Sequence, residues 1–122
     1  MKTKLLANVA AFITLIPTIL LSTTLPTWAE HKDVDLRLSI RDGESFEVLI
    51  RKAETLARTA AQMTFDREIL VSDVSVKITA QNQDQAAMVL QLVVSRANWI
   101  NYPDPKAWAT YFPGAQTLMR IK

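Results

Sequence analysis

The chain contains no cysteine, and only two of its 122 residues are glycine. Without cysteine there can be no disulfide bond, no lipid anchor on a cysteine and no cysteine nucleophile, so the fold must be stabilised by burial of apolar side chains. The two glycines, Gly43 and Gly114, form no glycine-rich phosphate-binding loop. A single histidine excludes histidine-rich zinc sites and weakens any serine–histidine arrangement. We interpret that residue, His31, as a solvated side chain close to a chain end.

Long hydrophobic runs are also scarce, with one exception at the beginning of the chain. Residues 1–29 have the pattern of a secretory signal peptide: a start with two lysines, an apolar run over residues 5–21, and a cleavage site ending at Ala29. The apolar run is short for a membrane span and is interrupted by polar residues and a proline. We therefore expect cleavage, no membrane span afterwards, and a single domain over residues 30–122.

This segment also accounts for the excess of positive charge. Two of the 14 basic residues and none of the 12 acidic residues lie within it, so the remaining chain has twelve of each and no net charge. Nucleic-acid binding requires clustered lysine and arginine side chains that displace counter-ions from phosphates. We therefore expect no nucleic-acid partner.

Hydrophobic periodicity predicts three strands and one main helix. Apolar and polar residues alternate over residues 34–41 and over residues 74–80, and a third apolar run covers residues 86–96. Between the first two strands, apolar residues at helical spacing predict a helix over residues 44–65, capped by Asp42 or Ser45. Its outer face carries two pairs of opposite charge four residues apart, Glu47 with Arg51 and Glu54 with Arg58.

The third strand is apolar on both faces, whereas the other two are apolar on one face only. This difference predicts that the third strand is central, in the order 1-3-2. A five-residue loop over residues 81–85 would place Ile78 opposite Met88, Val76 opposite Leu90, and Val74 opposite Leu92. The predicted fold class is a small α/β (α+β) sandwich, β-α-β-β plus a short C-terminal helix, with a three-stranded mixed sheet covered by the main helix on one face.

An aromatic segment, residues 97–122, completes the domain. Asp104 and Pro105 predict the start of a short helix that runs to about Phe112. Aromatic side chains here have two interpretations: they cover the second face of the third strand, or they form a contact surface for a ligand or a protein partner. The candidate contact residues are Trp99, Tyr102, Trp108 and Tyr111.

Carboxylate pairs are the remaining chemistry that the sequence could support. Asp33 and Asp35 share one face of the first strand, and Asp66, Glu68 and Asp73 surround the connection from helix to second strand. Hydrolysis by paired carboxylates and calcium binding both need a cleft or a cage of ligands that the sequence does not indicate. We interpret these residues as solvated and predict no enzymatic activity, no metal site and no cofactor.

Three stretches carry a resemblance: ILVSDVSV from Ile69, VSRANW from Val94, and PDPKAWATYF from Pro103. Over residues 42–118 the chain resembles a group of small uncharacterised secreted proteins of cyanobacteria. The resemblance implies a location in the envelope of a Gram-negative cell. The periplasm is the expected compartment, and the thylakoid lumen and the exterior are the alternatives. It implies no activity and assigns no functional residue.

Taken together, these observations predict an exported envelope protein that acts as a non-enzymatic protein–protein interaction module. Its partner is another envelope protein or a second copy of the chain. The alternative is a small-ligand or glycan-binding module that uses the four aromatic residues of the C-terminal segment.

Overall fold

The computed structural model describes residues 29–121 of the chain. Its first strand is β1 (Glu30–Ser39). The signal peptide predicted for residues 1–29 lies outside the described residues, apart from Ala29. Between Lys32 and Ser39, even-numbered side chains of β1 are half-buried and odd-numbered ones are exposed. One face therefore points to the core, as the alternation predicts, although the strand begins four residues earlier than expected.

Helix α1 (Phe46–Arg67) confirms the predicted main helix. It begins where the Ser45 side chain accepts a hydrogen bond from the Val48 backbone N–H at 3.3 Å, which satisfies one of the free donors of the first turn. Ala53, Ala57 and Ala61 lie one turn apart and are fully buried. Such small side chains let the helix backbone approach the sheet closely.

The next two strands, β2 (Val71–Asn82) and β3 (Gln85–Ser95), form an antiparallel hairpin. Only two residues separate them, so the predicted five-residue loop is wrong. The shorter turn, together with a bulge in β3, shifts the register by two residues along most of the hairpin.

The predicted cross-strand pairs change accordingly. Ile78 lies opposite Leu90, Val76 opposite Leu92, and Val74 opposite Val94, rather than opposite Met88, Leu90 and Leu92. The bulge places Met88 opposite Thr79 instead. Because the shift is an even number of residues, Leu90 and Leu92 keep the face that the sequence predicts.

The sheet has four strands in the order β1-β2-β3-β4, where β4 (Ala109–Tyr111) pairs antiparallel with β3. The predicted three-stranded sheet with order 1-3-2 is therefore wrong. β1 pairs with β2 in parallel, and β3 lies between β2 and β4. The apolar character of β3 on both faces did indicate an internal strand, but the neighbour on its far side comes from the C-terminal segment.

Three short helices belong to that segment: α2 (Arg96–Asn101), α3 (Pro105–Trp108) and α4 (Gly114–Leu118). Asp104 caps α3 by accepting from the Lys106 N–H at 3.0 Å, and Pro105 occupies its first turn, as predicted. The helix ends at Trp108 rather than Phe112, because the next three residues pair with β3 as β4.

Within residues 29–121, four helices and one sheet make this a mixed α+β fold. The C-terminal segment lies beside α1: Trp99 Nε1–H donates to the Gln62 side chain of α1, and the Tyr111 hydroxyl donates to Glu54 of α1. Val89 of β3 is fully buried, whereas Val93 remains 50% exposed. The prediction that these aromatics cover the second face of β3 is therefore wrong for Val93, while Trp99, Trp108 and Tyr111 do pack in or against the core, as that interpretation expected.

The side chain of Arg96, which directly follows β3, connects the end of α1 to the start of β2. The Arg96 guanidinium donates to three backbone carbonyls within 3.0 Å, those of Phe65, Glu68 and Val71, and contacts a fourth, that of Ile69, at 3.3 Å. Its carbon also lies 4.9 Å from the centre of the Phe65 ring. Among these carbonyls, that of Phe65 lies in the last turn of α1, where a helix leaves carbonyls without partners, and that of Glu68 also accepts from the Val71 N–H at 3.1 Å.

Candidate functional site

The four aromatic residues predicted as contacts are held mainly by bonds within the chain. Trp99 is 2% exposed, and its Nε1–H donates to Gln62 Oε1 at 3.0 Å. Trp108 is half-buried and donates its Nε1–H to the Tyr102 backbone carbonyl at 2.9 Å. Both indole donors are therefore satisfied by the protein itself.

Tyr111 is fixed in a similar way. Burial, reinforced by the Glu54 carboxylate that accepts from its hydroxyl, raises the pKa of Tyr111 far above its usual value and keeps the phenol protonated as a donor. Glu54 is consequently paired with Tyr111 rather than with Arg58, which lies 3.9 Å from Asp104 instead. The predicted pair of Glu47 and Arg51 does form.

Among the four, Tyr102 alone exposes more than half of its surface, at 55%. A glycan platform or ligand clamp needs several aromatic faces presented together. Here the ring of Trp99 belongs to the core, and Trp108 and Tyr111 pack against it. The geometry therefore indicates that the aromatic side chains of this segment mainly stabilise the fold.

A second feature is the outer edge of β1, with which no residue of the described range 29–121 pairs. Ile40 N–H donates to the Gln81 carbonyl of β2 at 3.0 Å, which sets the phase of the strand: even-numbered residues direct their backbone groups to β2. Odd-numbered residues from Asp33 to Ser39 therefore direct theirs outward. Between His31 and Ser39 the strand has neither a proline nor a bulge, two of the devices that protect an edge; the charges of Asp33, Asp35 and Arg37 lie on its polar face.

An apolar groove accompanies this edge on the helix side. Because α1 packs mainly on β2, the inner face of β1 stays only half covered. The groove measures about 370 Å³ and opens to solvent. We call it the β1 groove; its apolar lining consists of Val34, Leu36, Leu56, Ala60 and Met63. Met63 is 41% exposed.

The opposite face of the sheet is polar, and His31 lies on it. Its Nδ1 contacts Asp73 Oδ2 at 2.5 Å and its Nε2 contacts Asp33 Oδ1 at 3.0 Å. The hydrogen bonds to Asp73 and then Asp33 raise the pKa of His31, and the hydrogen bond from His31 lowers the pKa of Asp73. His31 is exposed, as predicted, but it does not belong to a loose chain end: two carboxylates position it, because β1 pairs beside Asp73 of β2.

The remaining carboxylates do not gather into one cluster. Asp66 accepts from Gln62 at 3.0 Å on α1, and Glu68 lies 3.4 Å from Lys32 on the helix side of the sheet. Asp35 stands on the polar face beside Lys77 of β2 and makes no ion pair within residues 29–121. Across that range, no group of three or more acidic or histidine side chains is arranged to hold a metal ion.

Sequence reasoning noted unpaired sheet edges but did not single out the edge of β1 or its groove. The signal was a long alternating strand without proline, which the predicted order 1-3-2 already placed at an edge of the sheet. The groove depends on the packing of α1 mainly on β2, which the sequence does not show. In the part of the chain described, no helix is both long and apolar enough to cross a membrane. No protein-family model, curated protein or solved structure matches the chain.

Proposed function

We propose that this protein is a non-enzymatic protein–protein interaction module of the cell envelope that binds through the outer edge of β1. The observation that carries the proposal is the combination of an edge strand free of proline and bulge from His31 to Ser39 and the apolar β1 groove beside it. Addition of a strand to such an edge gives main-chain hydrogen bonds, and the neighbouring groove gives specificity through alternate side chains.

The location follows from the signal peptide predicted for residues 1–29 and remains a part of the proposal. Export to the periplasm, or to the thylakoid lumen or the exterior, brings the domain into an oxidising space where a cysteine-free fold is insensitive to redox conditions. The absence of net charge after residue 29 favours short-range contacts over long-range electrostatic steering.

The C-terminal aromatics support this assignment over ligand binding. Trp99 is buried, and the polar atoms of Trp108 and Tyr111 are bonded within the chain. An aromatic ligand site would need these groups free. Titration with sugars and peptidoglycan fragments should therefore leave tryptophan fluorescence unchanged.

The decisive experiment blocks the edge without disturbing the sheet. Asp35 directs its N–H outward, so Asp35→Pro removes an edge donor but no hydrogen bond to β2. Asp35→Asn is the matched control, because it keeps the N–H and the size of the side chain. Each purified variant is analysed by sedimentation over a range of concentrations and by affinity capture from envelope extract.

We expect the original chain and Asp35→Asn to show self-association or to recover the same partner, and Asp35→Pro to lose both with an unchanged circular dichroism spectrum. A strictly monomeric protein that captures nothing, or equal capture by all three forms, would refute the proposed function.

A further inference from the structure

Resting on that proposed function, we infer that the partner is a second copy of the chain, paired antiparallel through β1 in one defined register. In this register Leu36 lies opposite Leu36 of the other copy, and Asp35 lies opposite Arg37. The product is a two-fold dimer with one continuous eight-stranded sheet.

The backbone of β1 is suited to this pairing. Odd-numbered residues from Asp33 to Ser39 direct their N–H and C=O groups outward. With Leu36 on the two-fold axis, Asp33 faces Ser39 and Asp35 faces Arg37, each pair occurring twice. Each of these four pairs exchanges two hydrogen bonds in an antiparallel ladder, about eight in all.

Charge selects the register. Two registers that both keep the apolar side chains on the helix face differ by an even shift of one β1 relative to the other. Only a few registers therefore need to be compared. Asp35 has no ion pair within residues 29–121, and Arg37 bonds there only to the neutral Gln81 side chain, at 3.0 Å. Placing Leu36 on the axis pairs these two charges twice across the interface. An axis at Leu38 would instead leave Asp35 beyond the end of the other β1.

Three other registers each oppose like charges. An axis at Asp35 sets this residue against itself, and an axis at Arg37 does the same for arginine. An axis at Val34 sets Asp33 against Asp35 twice. Like charges directly opposite each other destabilise a sheet, so of these registers only the one centred on Leu36 has attractive pairs alone.

The apolar face agrees with the same arrangement. The two-fold axis runs perpendicular to the sheet, so both copies of α1 lie on the same side. Leu36 meets its own copy, and Val34 meets Leu38, all three being half-buried in the single chain. The two β1 grooves meet at the axis, so the apolar side chains that line each groove cover the exposed inner face of β1 in the other copy.

Disulfide trapping measures the register directly, because the chain has no cysteine of its own. Leu36→Cys places one thiol from each copy in a pair that is not hydrogen-bonded, about 4.5 Å apart at Cα, within disulfide range. Val34→Cys is the matched control: it lies on the same strand and face, but the two copies stand about 13 Å apart along the strand. We expect covalent dimer from oxidised Leu36→Cys and none from Val34→Cys.

A charge exchange tests the same register without cross-linking. Asp35→Arg and Arg37→Asp each place like charges opposite each other twice, so each alone should raise the dimer Kd about tenfold or more. Mixed in equal amounts, the two variants should form a heterodimer, since every opposing pair is again attractive. Asp84→Arg is the control for charge reversal, because Asp84 is an exposed residue of the turn between β2 and β3, outside the edge of β1, and the change should leave the Kd nearly unchanged.

These outcomes separate the inference from the proposed function. A monomer at all concentrations that still captures an envelope partner through the edge of β1 would overturn the dimer and leave the interaction module standing. Cross-linking of Asp35→Cys in place of Leu36→Cys, or a heterodimer no stronger than the single variants, would overturn the register. All variants are produced from the full-length chain and checked for an unchanged circular dichroism spectrum.

Discussion

Removal of the Arg96 side chain should destabilise the protein more than any other single change of a charged residue near the end of α1. In the folded chain its guanidinium donates to the carbonyls of Phe65, Glu68 and Val71 at 2.7–2.9 Å. These groups belong to the last turn of α1, the connection after it and the first residue of β2. The substitution Arg96→Ala removes this donor from all three carbonyls, of which Glu68 keeps the Val71 N–H at 3.1 Å.

The size of the effect follows from those contacts. A hydrogen bond to a charged group contributes about 1.5–3 kcal/mol in favourable cases. Arg96 is only half-buried, so water replaces part of each lost bond, and about 1 kcal/mol for each of the three carbonyls is appropriate. We therefore expect a loss of about 3 kcal/mol, a large part of the roughly 5–14 kcal/mol that a domain of this size possesses.

Urea denaturation followed by tryptophan fluorescence measures this loss, because Trp99 is buried in the folded state. Arg67→Ala is the matched control: Arg67 is exposed in the last turn of α1 and should change the free energy of unfolding by less than about 0.5 kcal/mol. The midpoint should fall for Arg96→Ala with an unchanged slope. A loss below about 1 kcal/mol, or equal losses for both variants, would refute the role that we assign to Arg96.

Three further predictions concern single sites. Gly43 has φ +80, and the position that a Cβ would take there has no neighbouring atom within 4 Å, so Gly43→Ala should cost about 1 kcal/mol of unfolding free energy through backbone strain alone. The pKa of His31, measured by NMR, should lie above 6.5 and return towards it in Asp73→Asn. Because the raised pKa belongs to the folded state, the contribution of His31 to stability is complete below pH 6.5 and is lost as pH rises through the folded pKa. Gln62→Leu should cost about 1–2 kcal/mol by urea denaturation, since the Trp99 N–H loses its acceptor; an unchanged midpoint would contradict this.

The sequence was sufficient to predict the elements that depend on local pattern. Alternation along β1 and helical spacing along α1 each specify a face, and the structure confirms both within a few residues. Ser45 and Asp104 cap their helices for the same local reason. Strand order depended instead on the three residues of β4, a stretch too short to show any periodicity.

The candidate site shows the same division. Alternation shows which side chains of β1 share a face, so the position of Asp33 and Asp35 together on the polar face was predictable. The exposed edge of β1 was predictable as well, because the predicted order 1-3-2 and the observed order both place this strand at the end of the sheet. The groove was not predictable, since it arises from the packing of α1 mainly on β2. Likewise, nothing in the sequence indicates that Gln62 accepts a hydrogen bond from the Trp99 N–H or that Glu54 accepts one from the Tyr111 hydroxyl.

The parallel pairing of β1 with β2 has a consequence for the order in which the chain folds. Val34 and its partner Val76 are 42 residues apart, whereas a two-residue turn joins β2 to β3. Local contacts form early and distant ones late, so the hairpin should precede the docking of β1. By the same reasoning β1 should detach in the native state before the β2–β3 hairpin opens, and its amide protons should exchange through local opening well before those of the hairpin. Pairing with a second copy would close that route, and dimerisation would then be visible as slower hydrogen exchange at the odd-numbered amides of β1.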